Sequence, residues 1–322
     1  MRRATIKDVA KAAGVSAATV SYVMNDLGRV TAEVDAHVRA VAESLGYRRS
    51  RAALALKTGR HGAIGCLLPN LLSPIFPVIA SAVQGRAEEL GLSTLLVDTG
   101  DTPRSEAEAL RLLGEQGVDG VVAVLNAPPP EGLSYPVVTL DCRFEGVDSI
   151  RCDHFEGGRL AAHLAHGMGY RRAGLFIGSL KVASSVERSQ GFLQGAQEVG
   201  LSVVWQHEVP LGHDLPDFAQ AAIAAGEADF IACVNDMVAI GALSVARALG
   251  LSVPNEVAIM GFDDIPMAAW PVIGLSTLAQ DCKLLGVGAV EMLMRRIEEP
   301  EAPREERILP VVPMLRATTH QA

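Results

Sequence analysis

From residue 63 onward, short apolar runs alternate with longer amphipathic stretches, and this alternation restricts the possible folds more than any other feature of the sequence. Residues 64–68, 94–97 and 120–125 have the pattern of buried strands, and residues 74–90 and 104–116 between them have helical periodicity. Strands that alternate with helices in this way predict a parallel sheet built from β-α-β units.

The same alternation occurs a second time further along the chain. We expect a change of lobe near Asp153, after a strand at 137–140. The second series then has strands at 173–177, 203–209, 230–234 and 257–261, with helical stretches between them. Two α/β lobes of this kind enclose a cleft, and ligands bind to such folds at the carboxyl ends of the strands.

Residues 1–60 differ from this body in their charge. They contain 11 Lys or Arg and 5 Asp or Glu, a net charge of +6, whereas the whole chain has a net charge of −9. A cationic head on an anionic body is the asymmetry expected when one part of a chain binds a polyanion and the rest does not.

Three short helices are predicted within this head. Thr5 with Asp8 has the pattern of a capping box, and Ser16 and Thr31 can cap two further helices. The inward positions of the second and third helices are apolar: Val20, Val23, Met24, Val34, Val38, Val41 and Leu45. Two short helices braced by a third predict an all-α helix-turn-helix domain. The alternative, an ordinary three-helix bundle, explains neither the positive charge nor the small outward side chains of the second helix.

The opening of the chain resembles a known family. The segment Ala4-Thr-Ile-Lys-Asp-Val-Ala-Lys-Ala-Ala-Gly-Val-Ser16, followed by Thr19-Val-Ser21 and Asn25, is similar to the opening of the lactose-repressor/galactose-repressor family. The resemblance implies that residues of the second helix read bases in the major groove, namely Ala17, Ala18 and Tyr22. It also implies contacts to the DNA backbone from Ser16, Thr19, Ser21, Asn25, Arg29 and Thr31, with Tyr47 packed near the phosphates.

The base-reading positions have little hydrogen-bonding capacity. Ala17 and Ala18 can offer methyl contacts, chiefly to thymine, but no hydrogen bonds. Tyr22 stands where many relatives of the family have arginine. We therefore expect Tyr22 to supply much of the side-chain discrimination between bases in this helix.

Residues 50–59, Ser50-Arg-Ala-Ala-Leu-Ala-Leu-Lys-Thr-Gly59, resemble the hinge helix of the family. In the family this segment folds on the operator, pairs with its dimer mate and inserts a leucine into the minor groove, and Leu56 matches that position. The resemblance thus implies a helix-turn-helix domain at 1–49, a hinge at 50–60, and a two-lobed effector-binding and dimerisation domain at 61–322.

The body resembles the effector domain of the family, which has the α/β fold of type I periplasmic binding proteins. Matching segments include Ser73-Pro74-Ile75-Phe76, Glu187-Arg188-Ser-Gln-Gly191-Phe192 and Gly261-Phe-Asp-Asp264, and His154 stands where the family usually has asparagine. The residues expected to contact an effector are Ile75, Phe76, Arg188, Asn235, Asp236 and Asp263. Arginine donors, aspartate acceptors and an aromatic platform suit a sugar or a related polar metabolite. For Asp236 the capping of its own helix remains an alternative.

Together these features predict a sequence-specific DNA-binding regulator, a repressor that binds a palindromic operator as a homodimer and is controlled by a small effector. A solute-binding transport component is an alternative for the body alone. The cationic head and the lack of an apolar leader after Met-Arg-Arg oppose it. An enzyme is a second alternative, which the lack of a P-loop, HExxH or GxSxG motif opposes.

Cofactors, metals and membranes are not expected. His163 and His166 form an i,i+3 pair without a third ligand at metal-site spacing. Charges, Gly and Pro interrupt the apolar stretches well before the roughly 18 residues that a membrane span needs. The five cysteines form no CxxC pair, which favours reduced thiols and a cytoplasmic location.

Overall fold

A computed structural model describes residues 4–24, 28–47, 60–100 and 102–319. These residues form two compact units, one up to Gly62 and one from Ala63 onward. The first unit contains the helices α1 (Ile6–Ala13), α2 (Ala17–Met24) and α3 (Ala32–Ser44). Its core is formed by Val9, Val20, Val23 and Val38, all fully buried.

The predicted capping residues begin all three of these helices. Thr5 and Asp8 form a complete capping box around the start of α1. The Ser16 hydroxyl accepts a hydrogen bond from the backbone N–H of Thr19 at 3.0 Å, and the Thr31 hydroxyl accepts one from the N–H of Val34 at 3.4 Å. Each of these bonds satisfies an N–H group that has no partner inside its helix.

One inward position of the third helix was predicted wrongly. Leu45 is 41% exposed, because α3 ends at Ser44 and Leu45 already belongs to its C-cap. Ala42 is buried against the core instead.

The second unit has two sheets, and the first of them defines lobe 1. All neighbouring strands of this sheet are parallel, in the order β2-β1-β3-β4-β5-β11. The strands are β1 (Ala63–Leu68), β2 (Ser93–Asp98), β3 (Gly120–Ala123), β4 (Val137–Leu140), β5 (Asp148–Cys152) and β11 (Glu306–Leu309). The helices packed on it are α4 (Ile75–Glu89), α5 (Pro103–Glu115) and α10 (Cys282–Glu298).

The second sheet defines lobe 2 and has the order β7-β6-β8-β9-β10-β12, in which only β12 is antiparallel to its neighbour within the described residues. Its strands are β6 (Arg172–Ile177), β7 (Ser202–Glu208), β8 (Phe230–Cys233), β9 (Ala258–Asp263), β10 (Ser276–Ala279) and β12 (Val312–Met314). The helices are α6 (His154–Gly167), α7 (Ala183–Val199), α8 (Asp217–Ala224) and α9 (Asp236–Ala248). A 3₁₀ helix covers Pro266–Ala269.

The chain passes between the lobes three times, after β5, after β10 and after β11. The first crossing lies where the change of lobe was predicted, near Asp153, because β5 still belongs to lobe 1 and α6, in lobe 2, begins at His154. The two-lobed α/β architecture expected from the sequence is therefore confirmed.

Helices α6 and α7 pack unusually closely in lobe 2, and glycines allow the approach. A Cβ atom on Gly158 of α6 would lie 2.0 Å from the carbonyl oxygen of Arg188 on α7. A Cβ atom on Gly191 of α7 would lie 1.9 Å from the carbonyl oxygen of Phe155 on α6. Since no Cβ atom fits at either position, the backbones of the two helices are in direct contact.

Candidate functional site

A cavity of about 850 Å³ lies between the two lobes. Side chains from the carboxyl ends of strands and from helix starts in both lobes border it, as expected for this kind of fold. Lobe 1 contributes Ile75, Phe76, Asn126 and Asp141, and lobe 2 contributes Arg188, Asn235, Asp263 and Gln280, among others. Of the six residues predicted to contact an effector, all except Asp236 line this cavity.

Arg188 is held in one orientation at the wall of the cavity. Its Nη1 donates to the carbonyl oxygen of Val234 at 2.7 Å and lies 3.2 Å from Oδ1 of Asp263. Its Nε donates to Nδ1 of His154 at 3.2 Å, and its guanidinium carbon lies 3.8 Å from the ring centroid of Phe262. The opposite charge and the aromatic face both stabilise the guanidinium group there.

Asp263 completes this polar wall together with Gln280. Oδ1 of Asp263 accepts a hydrogen bond from Nε2 of Gln280 at 2.7 Å. The other polar atom of that amide, Oε1 of Gln280, is buried and has no hydrogen-bond partner among the described residues. Burial raises the pKa of Asp263, while the Arg188 charge and the Gln280 hydrogen bond oppose this rise. The Asp263 carboxylate is an acceptor that lines the cavity, so this wall is suited to a ligand with a hydroxyl or amine donor.

The backbone is strained at the same place. Asp141, Asp263 and Asp264 are the described non-glycine residues with a positive φ, at 57°, 118° and 55°. Asp141 directly follows β4, whereas Asp263 and Asp264 lie at the end of β9. Strained aspartates of this kind concentrate at binding sites, and two of these three line the cavity.

Asp141 and His154 form a second polar group beside Arg188. The His154 ring is buried, and its Nε2 lies 2.7 Å from Oδ1 of Asp141. Although burial opposes ionisation, the hydrogen bond from His154 and the charges of Arg188 and Arg151 lower the pKa of Asp141. Asp141 is not among the residues predicted to contact an effector, and His154 was predicted only to be a departure from the family pattern. The position of Asp141 directly after a strand was the available signal.

Asp236 lies behind the cavity wall rather than in it. Its side chain is fully buried, Oδ1 accepts from the Thr277 hydroxyl at 2.5 Å, and Oδ2 accepts from the backbone N–H of Ile265 at 2.8 Å. Burial, together with the charge of Asp263, raises the pKa of Asp236 well above its usual value. The expectation that Asp236 contacts a ligand is thus not supported, because both of its oxygens are engaged within the fold. Asn235, not Asp236, caps α9 through the N–H of Val238.

In the first unit, α2 presents a slim surface. Ala17 and Ala18 are exposed, whereas Ser21 and Tyr22 are partly buried. The guanidinium carbon of Arg29 lies 5.5 Å from the centroid of the Tyr22 ring, within the range of a cation–π contact. Tyr47 packs against the small core. Ser16, Thr19 and Thr31 lie at the starts of helices, and Asn25 and Leu56 lie outside the described residues.

Comparison with known proteins matches both units to families. Residues 5–50 match the family model of bacterial regulatory proteins, lacI family, and residues 161–319 match that of a periplasmic binding protein-like domain. The ribose operon repressor of Bacillus subtilis is 32% identical to the chain, over 99% of both proteins. The chain belongs to the lacI family.

Two further relatives of this lacI-family protein extend the comparison. The transcriptional repressor PurR of Histophilus somni is 30% identical over 97% of both chains. A crystal structure of the Lac repressor dimer, bound to operator and the anti-inducer ONPF, is similar with a TM-score of 0.88 and 25% identity over 99% of both chains. The two-part fold inferred from the sequence is therefore the fold of the family.

The histidine pair of this lacI-family protein has a different environment from a metal site. Nε2 of His163 lies 2.7 Å from Oε2 of Glu198 on α7. Hydrogen bonds from Gln194, His163 and Arg159 lower the pKa of Glu198 to about 2. The described residues contain no group of three or more metal-ligating side chains, and none of their helices has the length and apolar character that crossing a bilayer requires.

Proposed function

We propose that this protein is a transcriptional repressor whose affinity for its operator is controlled by a small polar effector. The observation that carries the proposal is the cavity between the lobes, to which both lobes contribute polar side chains. An effector that touches Asp141 or Phe76 in lobe 1 and Arg188 or Asp263 in lobe 2 binds one interlobe angle better than another. That difference in affinity is what an allosteric effector requires.

The chemistry of the cavity favours a neutral, polyhydroxylated effector. Arg188 and Asp263 neutralise each other, so a ligand does not have to supply a compensating charge. A sugar hydroxyl can donate to Asp263 and accept from Arg188 at the same time. Phe76 adds an apolar surface for a sugar ring. The similarity to a ribose operon repressor supports this class of effector, and the similarity to PurR proteins makes purine-type metabolites the second candidate.

The DNA partner is proposed to be a palindromic operator bound by a homodimer. The Lac repressor dimer bound to operator, to which this chain is similar, supports this arrangement. We propose that Ala17, Ala18 and Tyr22 face the bases and that Ser16, Thr19, Ser21, Asn25, Arg29, Thr31 and Tyr47 lie along the DNA backbone. The hinge at 50–60 would place Leu56 in the minor groove.

Binding alone is proposed to account for the activity, without catalysis and in the bacterial cytoplasm where the operator lies. The named relatives are repressors. All five cysteines are buried, and burial raises the pKa of the Cys66 and Cys282 thiols to about 12, which makes them poor nucleophiles.

The experiment that tests the proposal combines a thermal-shift screen of sugars and purines with operator binding. A ligand that binds the native state raises its stability by mass action. Arg188→Ala should then weaken binding of the identified effector by about 1–3 kcal/mol, since a charged hydrogen-bonding partner is removed. Arg172→Ala is the matched control, because Arg172 lies at the exposed start of β6.

Operator binding is measured with and without the effector. A variant that lacks residues 1–60 should lose operator binding and keep effector binding. The proposal is wrong if this variant still binds operator fragments as tightly as the full chain. It is also wrong if no sugar or purine shifts the thermal midpoint.

A further inference from the structure

The first crossing between the lobes carries two polar links that run in opposite directions. Arg151 lies on β5 in lobe 1, just before the crossing. Its Nη1 lies 3.1 Å from Oε2 of Glu187 on α7 in lobe 2, and its Nε lies 2.9 Å from Oε1 of Glu306 on β11 in lobe 1. The Arg151 side chain is 14% exposed and the Glu187 side chain 37%, so this pair is partly shielded from water. Arg151 therefore joins a strand of lobe 1 to a helix of lobe 2.

His154 makes the reverse link from the other side of the crossing. It is the first residue of α6 in lobe 2, and its ring reaches back to Asp141, which follows β4 in lobe 1. The Arg188 Nε can only donate, so Nδ1 of His154 must accept, and Nε2 then carries the proton that is donated to Asp141. The ring thus has one defined tautomer, and it connects Asp141 directly to Arg188.

Both links end on neighbouring residues of α7, Glu187 and Arg188. Arg188 and Asp141 border the cavity, so each link has one end at or beside the site where a ligand would bind. The close contact of α6 and α7 through Gly158 and Gly191 couples the positions of these two helices. A movement of Arg188 is therefore transmitted to both links.

We propose that Arg151 and His154 form a crossed latch, in which the two links together hold the lobes at the angle of this structure and position Arg188 in the cavity. A ligand that engages Arg188 or Asp141 competes directly with the latch. The latch residues are positioning residues, and they set how much binding free energy an effector must supply to change the interlobe angle. This inference goes beyond the proposed function, because it concerns the ligand-free protein and needs neither effector nor operator.

The test measures the distance between the lobes in the full-length, ligand-free protein. Spin labels are attached to cysteines introduced at Arg104 in lobe 1 and Asp214 in lobe 2, which are 90% and 95% exposed. Labelled chains are diluted with unlabelled ones, and pulsed electron resonance gives the distance distribution. Glu187→Gln removes the charge that pairs with Arg151 and so weakens this link. We expect the population of other interlobe distances to rise about five-fold, which corresponds to about 1 kcal/mol.

Glu198→Gln is the matched control. Glu198 lies on the same helix α7, and its partner Arg159 is in the same lobe, at 2.8 Å. This variant should lose a salt bridge without any change in the distance distribution. The thermal midpoint should change little in both variants, so a purely structural role of Glu187 cannot produce the expected difference.

His154→Ala tests the second link and should broaden the distribution further. If His154→Ala does not fold, Glu187→Gln still tests the proposal. Glu187 has a partly exposed side chain outside the core, so its substitution should leave the fold intact. A wild-type distribution in Glu187→Gln overturns the crossed latch. Equal broadening in Glu187→Gln and Glu198→Gln also overturns it.

Discussion

Because α6 and α7 are in direct contact, a single methyl group added between them should make the protein less stable. In Gly191→Ala the new Cβ atom would lie 1.9 Å from the carbonyl oxygen of Phe155 and 2.8 Å from its carbon. Both atoms belong to the backbone, so no side-chain rotation relieves the overlap. The helices must move apart by at least about 1 Å before this pair of atoms reaches even the shortest separation that a Cβ atom tolerates.

The cost follows from the contacts that this separation weakens. A gap of about 1 Å removes up to about half of each dispersion contact, and each such contact is worth about 0.1–0.2 kcal/mol. For roughly forty atom pairs, about as many as one buried leucine makes, the loss is about 2–4 kcal/mol. This overlaps the range of about 1–3 kcal/mol that is usual for overpacked cores. At about 2–4 °C per kcal/mol, the thermal midpoint should fall by on the order of 10 °C.

The assay is thermal unfolding followed by circular dichroism, with Gly167→Ala as the control. Gly167 is the last residue of α6, is exposed, and has no atom within 4 Å of an added Cβ. Since alanine is the better helix former, this variant should keep or gain up to about 1 kcal/mol. Replacement of glycine by alanine should thus lower the stability at position 191 and keep or raise it at position 167. If Gly191→Ala is as stable as the wild type, the direct backbone contact of the two helices is wrong.

Three further predictions concern other parts of the chain. Arg296→Met should cost about 3–5 kcal/mol in urea unfolding, because it removes the partner that lies 2.7 Å from the buried carboxylate of Asp148. Arg295→Met, on the exposed side, should cost only about 0–1 kcal/mol. Equal losses of stability in the two variants would contradict this prediction. Burial raises the pKa of Asp236 well above its unfolded value, so above about pH 4 the unfolded chain releases this proton while the folded protein keeps it, and the fold loses stability as the pH rises. Asp236→Asn should therefore lose less stability than the wild type between about pH 5 and pH 7.5. Tyr22→Arg should shift operator preference toward guanine in a randomised-site selection, and an unchanged preference would exclude Tyr22 from base reading.

Local signals in the sequence were sufficient for the parts of the fold that depend on neighbouring residues. The caps at Thr5, Ser16 and Thr31 are formed by side chains within three residues of their targets. Arg188 and Asp263 were predicted from the resemblance of their segments to the family, and both line the cavity. Asp236 was placed wrongly, since its neighbour Asn235 caps the helix and Thr277, forty-one residues away, binds its carboxylate.

The contacts that join distant segments could not be predicted in this way. The Arg151 guanidinium meets Glu187 and Glu306, which are 36 and 155 residues away. The pairing of β11 with β5 depends on a chain that has first crossed to lobe 2 and returned. No periodicity within one segment contains information on such a pairing, because it is selected by the packing of the whole unit.

The three crossings also determine the order in which this protein can be completed during synthesis. Among the described residues, the core of the first unit is formed entirely by residues up to Tyr47, so this head can fold while the rest of the chain is still being synthesised. Both sheets, by contrast, receive their final edge strand, β11 or β12, only from residues 306–314. At about 5–20 residues per second, the strand that starts at Ala63 waits about 12–50 s for the strand that completes its sheet. Every nascent chain thus passes through a period with a formed DNA-binding head and no finished ligand domain, in which the unpaired edge of β5 needs protection from association with other chains.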